Sequence, residues 1–575
     1  MQFIHESSDE GNLEFVFKHA LAHQAAYDAM VEQKRKALHM KIAESIEKVF
    51  PERINEFFGT LAMHYSRAGN LMKAEEHMIK AGDESMKSAA WTEAADFYQE
   101  AFKTYLKNSG DEPDPVKVTR FYGKLGNAYQ LGGKNREAIN YYEKVLKHYD
   151  IAPPTSKLKQ SLSKISNLLS ILLYVRFPGT RFKMVANDLD KWLLQILYFN
   201  GKALYSYDSK RWFGQTLHTF RYYSRFRFSS NEYGQATLAA YSIFFNWTGI
   251  SLAVAQKLLD LSKKNLEQTT PFVQMEHYTY SKMHQFLAGN WKPDSRIDEL
   301  YDSARKRGDL FNLTVYLLFS SFISIELGLE VETFENLRKM KAVGEDFESH
   351  HTMAQYYRLK SVALLKFRKF DQFETLTSEG LASTIKTGHL AMLQIIHSMR
   401  TMHAALTDDL ETAKAELKKV EKLKEPLKKI KIWYSTWFLA KAYVLVEELK
   451  RNPEDSELRR QLLKTCQLAI KNSKMVPNNL IESQRIMGNV MWMIGHKKMA
   501  INHYTKSITE ANRANGRLEL SRTYFELGKR ISSNGSTTKV NGLSGIEYLN
   551  KARSMFLEMN LAFDLQELER LNYRK

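Results

Sequence analysis

A pair of small residues twelve positions apart recurs in three parts of the chain. In the segment KLGNAYQLGGKNREAINYYEKVL, Gly126 precedes Ala138 by this spacing, with Tyr129 between them and Tyr142 and Val145 after them. The same offsets occur in two other segments, at Ala62, Tyr65, Ala74, Met78 and Ala81 and at Gly488, Met491, Ala500, Tyr504 and Ser507. Small residues allow two consecutive helices to pack closely, and the aromatic side chains fill the groove between them. The pattern predicts repeated helical hairpins.

Glycines stand where these hairpins would turn, because glycine closes a helix in the left-handed conformation at little cost. These glycines are Gly69, Gly132, Gly133 and Gly495. Between residues 231 and 480 the signature weakens, but turns are still predicted about every 40 residues, which is the length of two helices with short connections. The predicted turn residues there are Gly249, Gly289, Gly328, Arg368, Asp408 and Asn452. The fold class is therefore predicted as all-α, a tetratricopeptide-like helical-hairpin solenoid forming a right-handed superhelix.

Both ends of the chain resemble the region that follows the ATPase in large bacterial signalling proteins of the STAND class, where a winged-helix tail runs into tetratricopeptide-like repeats. The N-terminal residues that carry the resemblance are Phe17, His19, Ala20, Leu21, Ala26, Tyr27, Arg35, Leu38, His39, Ile42, Ala43, His64, Tyr65, Ala68, Gly69, Ala81, Gly82 and Asp83. The C-terminal ones are Ala552, Phe556, Ala562, Asp564 and Leu565. Residues 13–150 and 480–575 match best, and VRFPG at 175–179 and the predicted helix around residues 205–228 resemble the linker of these proteins.

These signalling proteins often carry a class III adenylate or guanylate cyclase or a protein kinase domain upstream. The resemblance implies that this chain is the regulatory C-terminal half of such a protein or a stand-alone derivative of it. An alternative is a transcription regulator with tetratricopeptide repeats whose catalytic or DNA-binding parts lie outside the chain.

Five regions are predicted. Residues 1–55 are a remnant of the winged-helix or ATPase junction and open with a strand marked by Leu13, Phe15 and Phe17. N-terminal repeats (56–150) and a basic, aromatic-rich helical linker (151–230) follow. The chain continues with degenerate repeats (231–480) and C-terminal repeats (481–575), which contain a flexible insertion at 532–545.

More than half of the net charge of +18 lies in the linker, where 13 lysines and arginines face three aspartates. Its segment KRWFGQTLHTFRYYSRFRF combines aromatic residues with a candidate anion-binding patch formed by Arg211, Arg221, Arg225 and Arg227. The interpretation we favour is that the aromatic residues pack between helices and the arginines are solvated or paired with nearby acidic residues. Contact with an acidic protein comes second, and nucleic acid or a membrane surface comes third.

No catalytic, cofactor-binding or metal-binding residues are predicted, and the chain is not expected to be an enzyme. It lacks the G-x-x-x-x-G-K-[ST] phosphate loop, the G-x-S-x-G nucleophile elbow, the H-E-x-x-H zinc pair and the kinase catalytic loop. The pairs His397 with His403 and His350 with His351 have no further ligands at suitable spacing, and Cys466 is the only cysteine.

The predicted function is a non-catalytic protein-interaction and regulatory module. Its expected partners are a protein or peptide in the superhelical groove and an upstream ATPase or cyclase domain. The first twenty residues show no basic leader followed by an apolar stretch, and such low cysteine use suits a reducing compartment, so a cytoplasmic location is expected. Residues 168–175 and 310–325 are interpreted as buried helices, because the first stretch is too short to span a bilayer and the second is interrupted by polar residues.

Overall fold

The computed structural model describes residues 4–9, 12–17, 20–151, 157–177, 184–226, 232–387, 389–427, 431–532 and 539–571. This part of the chain contains 27 α-helices and one short sheet, as the all-α repeat prediction requires. The chain divides into two compact units. Unit 1 comprises Met1–Pro153 and Phe199–Asp208, and unit 2 comprises Pro154–Tyr198 and Ser209–Lys575. The five regions proposed from the sequence stay a prediction.

Unit 1 begins with an antiparallel hairpin of β1 (Ile4–Asp9) and β2 (Asn12–Phe17). The alternating residues of β2 predicted a strand there, and this prediction is confirmed, but the strand was expected to stand alone. Its partner went unnoticed because the sequence of β1, IHESSD, has no apolar alternation. Backbone hydrogen bonds pair the two strands and need no such pattern.

Seven helices follow in unit 1, and from α2 onward each packs against the next. They are α1 (Ala20–Asp28), α2 (Glu32–Val49), α3 (Phe58–Ala68), α4 (Leu71–Lys87), α5 (Trp91–Ser109), α6 (Pro115–Leu131) and α7 (Asn135–His148). A 3₁₀ segment, Pro51–Phe57, joins α2 to α3. Ala62, Tyr65, Ala74 and Ala138 are buried between these helices. Ala81 and Tyr142 are buried as well, and Tyr129 is half-buried against the core around Ala94 and Leu125.

The remaining helices run from the linker to the C-terminal end. They are α8 (Lys157–Arg176), α9 (Asp188–Tyr207), α10 (Ser209–Tyr223), α11 (Glu232–Thr248), α12 (Leu252–Ser262), α13 (Pro271–Ala288), α14 (Ile297–Lys306), α15 (Leu310–Leu327), α16 (Glu330–Asp346), α17 (His350–Lys366), α18 (Phe373–Thr387), α19 (Leu390–Leu406), α20 (Leu410–Leu427), α21 (Lys431–Arg451), α22 (Ser456–Ser473), α23 (Pro477–Met493), α24 (Lys497–Ala514), α25 (Arg517–Ile531), α26 (Gly545–Glu558) and α27 (Ala562–Glu569).

A tyrosine ring fills the space that a glycine leaves open in three hairpins. A Cβ added at Gly126 would lie 2.6 Å from Cε1 of Tyr142, and one added at Gly488 would lie 2.7 Å from Cε1 of Tyr504. The third case is Gly82 with Tyr98, at 2.5 Å. In each pair the tyrosine follows the glycine by sixteen positions. The signature at Gly82 was missed because α4 also forms the second helix of the hairpin that contains Ala62.

Each of these tyrosines also donates a hydrogen bond that the sequence patterns did not predict. The acceptor is always the residue directly after the glycine. The bonds are Tyr98 to Asp83 at 2.6 Å, Tyr142 to Asn127 at 2.9 Å and Tyr504 to Asn489 at 2.6 Å. The signal was present in the sequence as glycine followed by Asp or Asn, because a buried hydroxyl needs a partner. The hydrogen bond fixes the ring over the glycine.

In the degenerate repeats, serine and threonine replace the small apolar residues at the same offset. Two pairs of small residues twelve positions apart are fully buried, namely Ser321 with Thr333 and Thr401 with Ala413. Ser361 is fully buried as well, but the residue twelve positions after it is the large Phe373. Each hydroxyl bonds back to a carbonyl of its own helix, for example Ser321 to Leu317 at 2.7 Å. A serine or threonine satisfied in this way packs as a small residue. The repeat therefore continues through a region where the sequence signature is weak.

Most predicted turns lie where helices end. Gly69, Gly133 and Gly495 have positive φ angles, whereas Gly132 does not. In unit 2 positive φ angles occur at Gly249, Gly289, Gly328, Arg368 and Asp408, and Asn452 directly follows α21. Of the insertion predicted at 532–545, residues 533–538 lie outside the described part of the chain. Ser544 caps α26 in a capping box with Glu547.

Among the described residues, α15 is the one helix that is long and apolar enough to cross a bilayer, with a mean hydropathy of 1.6. However, 83% of it is buried inside the protein. It contacts α13, α14, α16, α17 and α25, so neighbouring helices cover the apolar residues on every side of α15. The prediction of a buried helix at 310–325 is confirmed. The prediction at 168–175 is wrong for one face of the helix, because Leu169, Leu172 and Leu173 are exposed while Ile171, Tyr174 and Val175 are buried.

We expect Gly126→Ala to destabilise the α6–α7 hairpin by about 1 to 3 kcal/mol, because the new Cβ would displace the buried ring of Tyr142. Hydrogen–deuterium exchange of α6 and α7 measures this loss as faster opening. The matched control is Gly201→Ala in α9, where an added Cβ meets no atom within 4 Å. This control is expected to be neutral or stabilising by up to about 1 kcal/mol. Unchanged protection in the Gly126 variant would show that the packing of Tyr142 does not require a glycine at this position.

Candidate protein-binding surfaces

The inner layer of unit 2 consists of the odd-numbered helices from α11 to α25, each of which contacts the next odd-numbered helix. Two further contacts join helices that are far apart in sequence, α11 with α21 and α15 with α25. The ring centres of Trp247 and Trp433 lie 4.9 Å apart at the first of these contacts. Side chains of the chain itself therefore fill this part of the groove in which a partner was predicted.

A network of buried charges joins α17 to α23 and α25. The Nζ atom of Lys366 donates to Glu482 at 2.8 Å and to Glu519 at 3.0 Å, and the side chain of Glu519 is completely buried. Arg485 donates to the other oxygen of Glu519 at 3.0 Å, and the Tyr443 hydroxyl donates to Glu482 at 2.6 Å. Opposite charges in direct contact satisfy one another where water is excluded.

Arg522 extends this network to α27. Its guanidinium donates two hydrogen bonds to Asp564, at 2.9 and 2.8 Å, and a third to the backbone oxygen of Lys366 at 2.6 Å. Burial alone would raise the pKa of the Asp564 carboxyl, but the Arg522 guanidinium holds this pKa below its usual value. The contact fixes the last described helix to a helix about 200 residues earlier in the chain, in the manner of a bidentate arginine clamp.

Glu326 lies near this network and is its least well compensated acid. Its Oε2 atom is buried without a hydrogen-bond partner among the described residues. Burial raises the pKa of Glu326 to about 7, although the nearby ammonium of Lys366 acts in the opposite direction. The network therefore carries one acid that is easily protonated near neutral pH.

Of the four candidate histidines, His403 is buried, His351 and His397 are half-buried between helices, and His350 is exposed at the start of α17. His397 contacts Glu416 at 2.6 Å, His403 stacks on Phe373, and burial lowers the pKa of His351 to about 4. Within the described ranges, no three side chains of metal-ligating type come together. These histidines therefore take part in packing and local hydrogen bonds.

The segment that combines aromatic residues with arginines separates into a buried and an exposed set. Trp212, Phe220, Tyr223 and Phe226 are buried, in agreement with the packing interpretation. Arg211, Arg221 and Arg225 are exposed, and Arg227 lies outside the described residues. The two sets differ because α10 turns its aromatic residues toward the core, where Phe220 meets the edges of Tyr174 and Tyr241.

Helix α8 presents an apolar face that no described residue covers. Its inner face, with Asn167, Ile171, Tyr174 and Val175, is buried, and the helix packs on α10 and α12. Large apolar residues on the outer face stay exposed at 61%, 61%, 55% and 52% for Leu162, Ile165, Leu169 and Leu173. Each fully exposed side chain of this size forgoes about 1.5 to 3 kcal/mol of burial energy, so the row of four is a candidate binding surface.

A groove with a volume of about 980 Å³ lies between this face of α8 and the end of α10. Its second wall is formed by Arg221, Ser224 and Arg225, with Met184 beside them. The Arg225 guanidinium lies 5.5 Å from the ring centre of Tyr222. In the described part of the chain neither arginine forms an ion pair with a carboxylate. We call this site the α8–α10 groove.

Comparisons with known proteins give matches in structure and none in sequence. No protein-family model matches the chain, and no curated protein matches it in sequence. Yeast Tom70 is among the similar solved structures, with 13% identity and a TM-score of 0.36 over 80% of this chain and 97% of that chain. The APC/C hetero-tetramer Cut9–Hcn1 has 13% identity and a TM-score of 0.27, and the match covers 86% of this chain and 96% of that chain. A circular tandem repeat protein with novel repeat topology has 12% identity and a TM-score of 0.12, with coverages of 96% and 97%.

We expect Lys366→Met to destabilise unit 2 by about 3 to 5 kcal/mol, because it leaves Glu482 and Glu519 buried with fewer compensating charges. Faster hydrogen exchange in α17, α23 and α25 would report the loss. The control is Lys341→Met, which breaks an exposed pair with Glu345 and should cost less than about 1 kcal/mol. Equal effects of the two substitutions would show that the network does not hold these helices together.

The pKa of Glu326 predicts a pH-dependent effect of Glu326→Gln. The native chain keeps the Glu326 proton up to about pH 7, whereas an unfolded glutamate releases it near pH 4.5. The contribution of Glu326 to stability is therefore full below pH 4.5 and is lost as the pH rises through 7. At pH 8 the variant should be more stable than the native chain by up to about 3 kcal/mol. At pH 4.5 the two should unfold alike. Thermal unfolding followed by circular dichroism measures both values, with the exposed Glu345→Gln as control.

Proposed function

We propose that this helical-repeat protein is a non-catalytic scaffold that binds another protein through the α8–α10 groove. The observation that carries the proposal is the row of Leu162, Ile165, Leu169 and Leu173, which no described residue covers, beside Arg221 and Arg225, which form no ion pair with a carboxylate among the described residues. Exposed apolar patches bordered by polar residues are typical of protein-binding surfaces.

The surroundings of the groove suit such a role. Helix α8 has 20 residues and is thus about 30 Å long, enough to support a partner helix over several turns. Its inner face rests on α10 and α12, so its orientation does not depend on the partner. A preformed surface avoids much of the ordering cost that binding otherwise incurs.

The buried contacts in the inner layer of unit 2 also favour the α8–α10 groove as the binding surface. A partner between α17 and α25 would have to break the contacts of Lys366 and Arg522, which are buried and satisfied. Breaking buried ion pairs is costly. The α8–α10 groove requires no such opening.

The resemblance of both chain ends to bacterial signalling ATPases supports a finer proposal, in which the scaffold regulates an ATPase, cyclase or kinase domain encoded upstream. The β1–β2 hairpin would then be the edge of the preceding winged-helix domain. Reading the gene upstream of Met1 tests this, since an in-frame phosphate loop is expected there. A stop codon directly before the start would contradict it.

Photo-crosslinking in the native cells tests the binding role of the groove. With a photoreactive residue in place of Leu169, we expect a discrete adduct with one protein. The control position is Val331, which is 80% exposed on α16 and does not line the groove. Introducing Leu173→Asp should abolish the adduct at position 169, because it places a charge in the apolar row. Adducts with lipid alone, or equal labelling from both positions, would contradict the proposal.

A further inference from the structure

We infer that the partner element in the α8–α10 groove is an acidic amphipathic α-helix. Its apolar row would lie along α8, and two carboxylates one turn apart would meet Arg221 and Arg225. This inference rests on the proposed function and specifies the chemistry of the partner.

The apolar wall has the spacing of a helix–helix seam. The α8 residues that line the groove are Leu162, Ile165, Ser166, Leu169, Ser170 and Leu173. They follow one another at i, i+3, i+4, i+7, i+8 and i+11, which places them on one face of the helix. The two serines leave shallow positions between the large side chains, into which the side chains of a second helix can insert. The surface therefore matches a helix laid along α8.

The cationic wall defines where the partner carries charge. Arg221 and Arg225 are four positions apart, both exposed and both at the groove. A guanidinium forms two parallel hydrogen bonds with a carboxylate, which makes carboxylates its preferred partners on proteins. Carboxylates at i and i+4 of a helix lie on one face and are about one turn apart. They can thus meet both arginines at once.

The charge of the surrounding sequence favours an acidic partner during approach. Residues 151–230 contain 13 basic and three acidic residues. Such an excess attracts an acidic protein over a distance and raises its association rate. Formation of the complex should therefore weaken as ionic strength increases.

Two other classes of anionic partner fit less well. Single-stranded nucleic acids bind to exposed aromatic residues that stack on their bases, but Trp212, Phe220 and Tyr223 are buried. A lipid surface would be met by an amphipathic helix whose apolar face projects outward. In this protein the apolar face of α8 forms one wall of a groove, and the arginines stand on the opposite wall. A protein helix can contact both walls.

The test uses the full chain and two fluorescent peptides of about 18 residues, long enough to cover most of α8. Both carry leucine at i, i+3, i+7 and i+11. One has two glutamates one turn apart beside this row, and the other has lysines there. Fluorescence anisotropy at low ionic strength should show the glutamate peptide binding at least about tenfold more tightly. The double variant Arg221→Glu/Arg225→Glu should reverse the preference.

Arg211→Glu is the matched control, because Arg211 is exposed on the same helix but does not line the groove. It should leave the preference for the glutamate peptide unchanged. A third peptide, with proline in the centre of the glutamate sequence, should bind poorly because it cannot form a continuous helix. Circular dichroism of each protein variant checks that the fold is intact.

The outcomes separate this inference from the proposed function. If both peptides bind equally and Leu169→Asp abolishes both, the groove binds a helix and the carboxylate requirement is wrong. If neither peptide binds but position 169 still crosslinks to a protein in cells, the helical partner is wrong and the scaffold role stands. Binding to phosphatidylglycerol vesicles that Leu169→Asp abolishes, without peptide binding or a protein adduct, would overturn both proposals.

Discussion

The close approach of two helices at a residue with little or no side chain is the constraint on which this repeat structure depends. In three hairpins the ring of Tyr98, Tyr142 or Tyr504 lies directly over a glycine, and its hydroxyl is held by the residue after that glycine. In the middle of the chain, buried serines and threonines serve the same purpose once their hydroxyls bond to their own helix. Stacking of such hairpins produces the layered helices of both units.

The inner layer of unit 2 shows how a repeat array obtains contacts beyond its nearest neighbours. Lys366, Glu519 and Arg522 join helices that are far apart in sequence, in a region without access to water. Charges buried in this way tolerate few alternative arrangements, because any unpaired member is costly. The network specifies how α17, α23, α25 and α27 meet.

The candidate binding site depends on how one short segment is divided between core and surface. Residues 210–228 read as a mixture of aromatic and basic residues, and the sequence pattern alone allowed packing, an acidic partner or a phosphate backbone. Burial of Trp212, Phe220 and Tyr223 removes the aromatic residues from the surface. Arg221 and Arg225 remain beside the leucines of α8, a neighbour some 50 residues earlier that no local pattern connects to them.

Local patterns were sufficient to predict the all-α repeat class and the hairpins at Ala62, Gly126 and Gly488. They also predicted turns at residues such as Gly249 and Gly328, because helical periodicity and glycine conformation are local properties. The sequence also contained the acceptors Asp83, Asn127 and Asn489, although their role becomes evident only when the tyrosines are in place. The tertiary structure alone decided that Lys366 meets Glu519, that Glu326 is buried without a hydrogen-bond partner at Oε2 among the described residues and that α8 keeps an uncovered apolar face. These features depend on which helices meet across long sequence separations, and local periodicity does not encode that information.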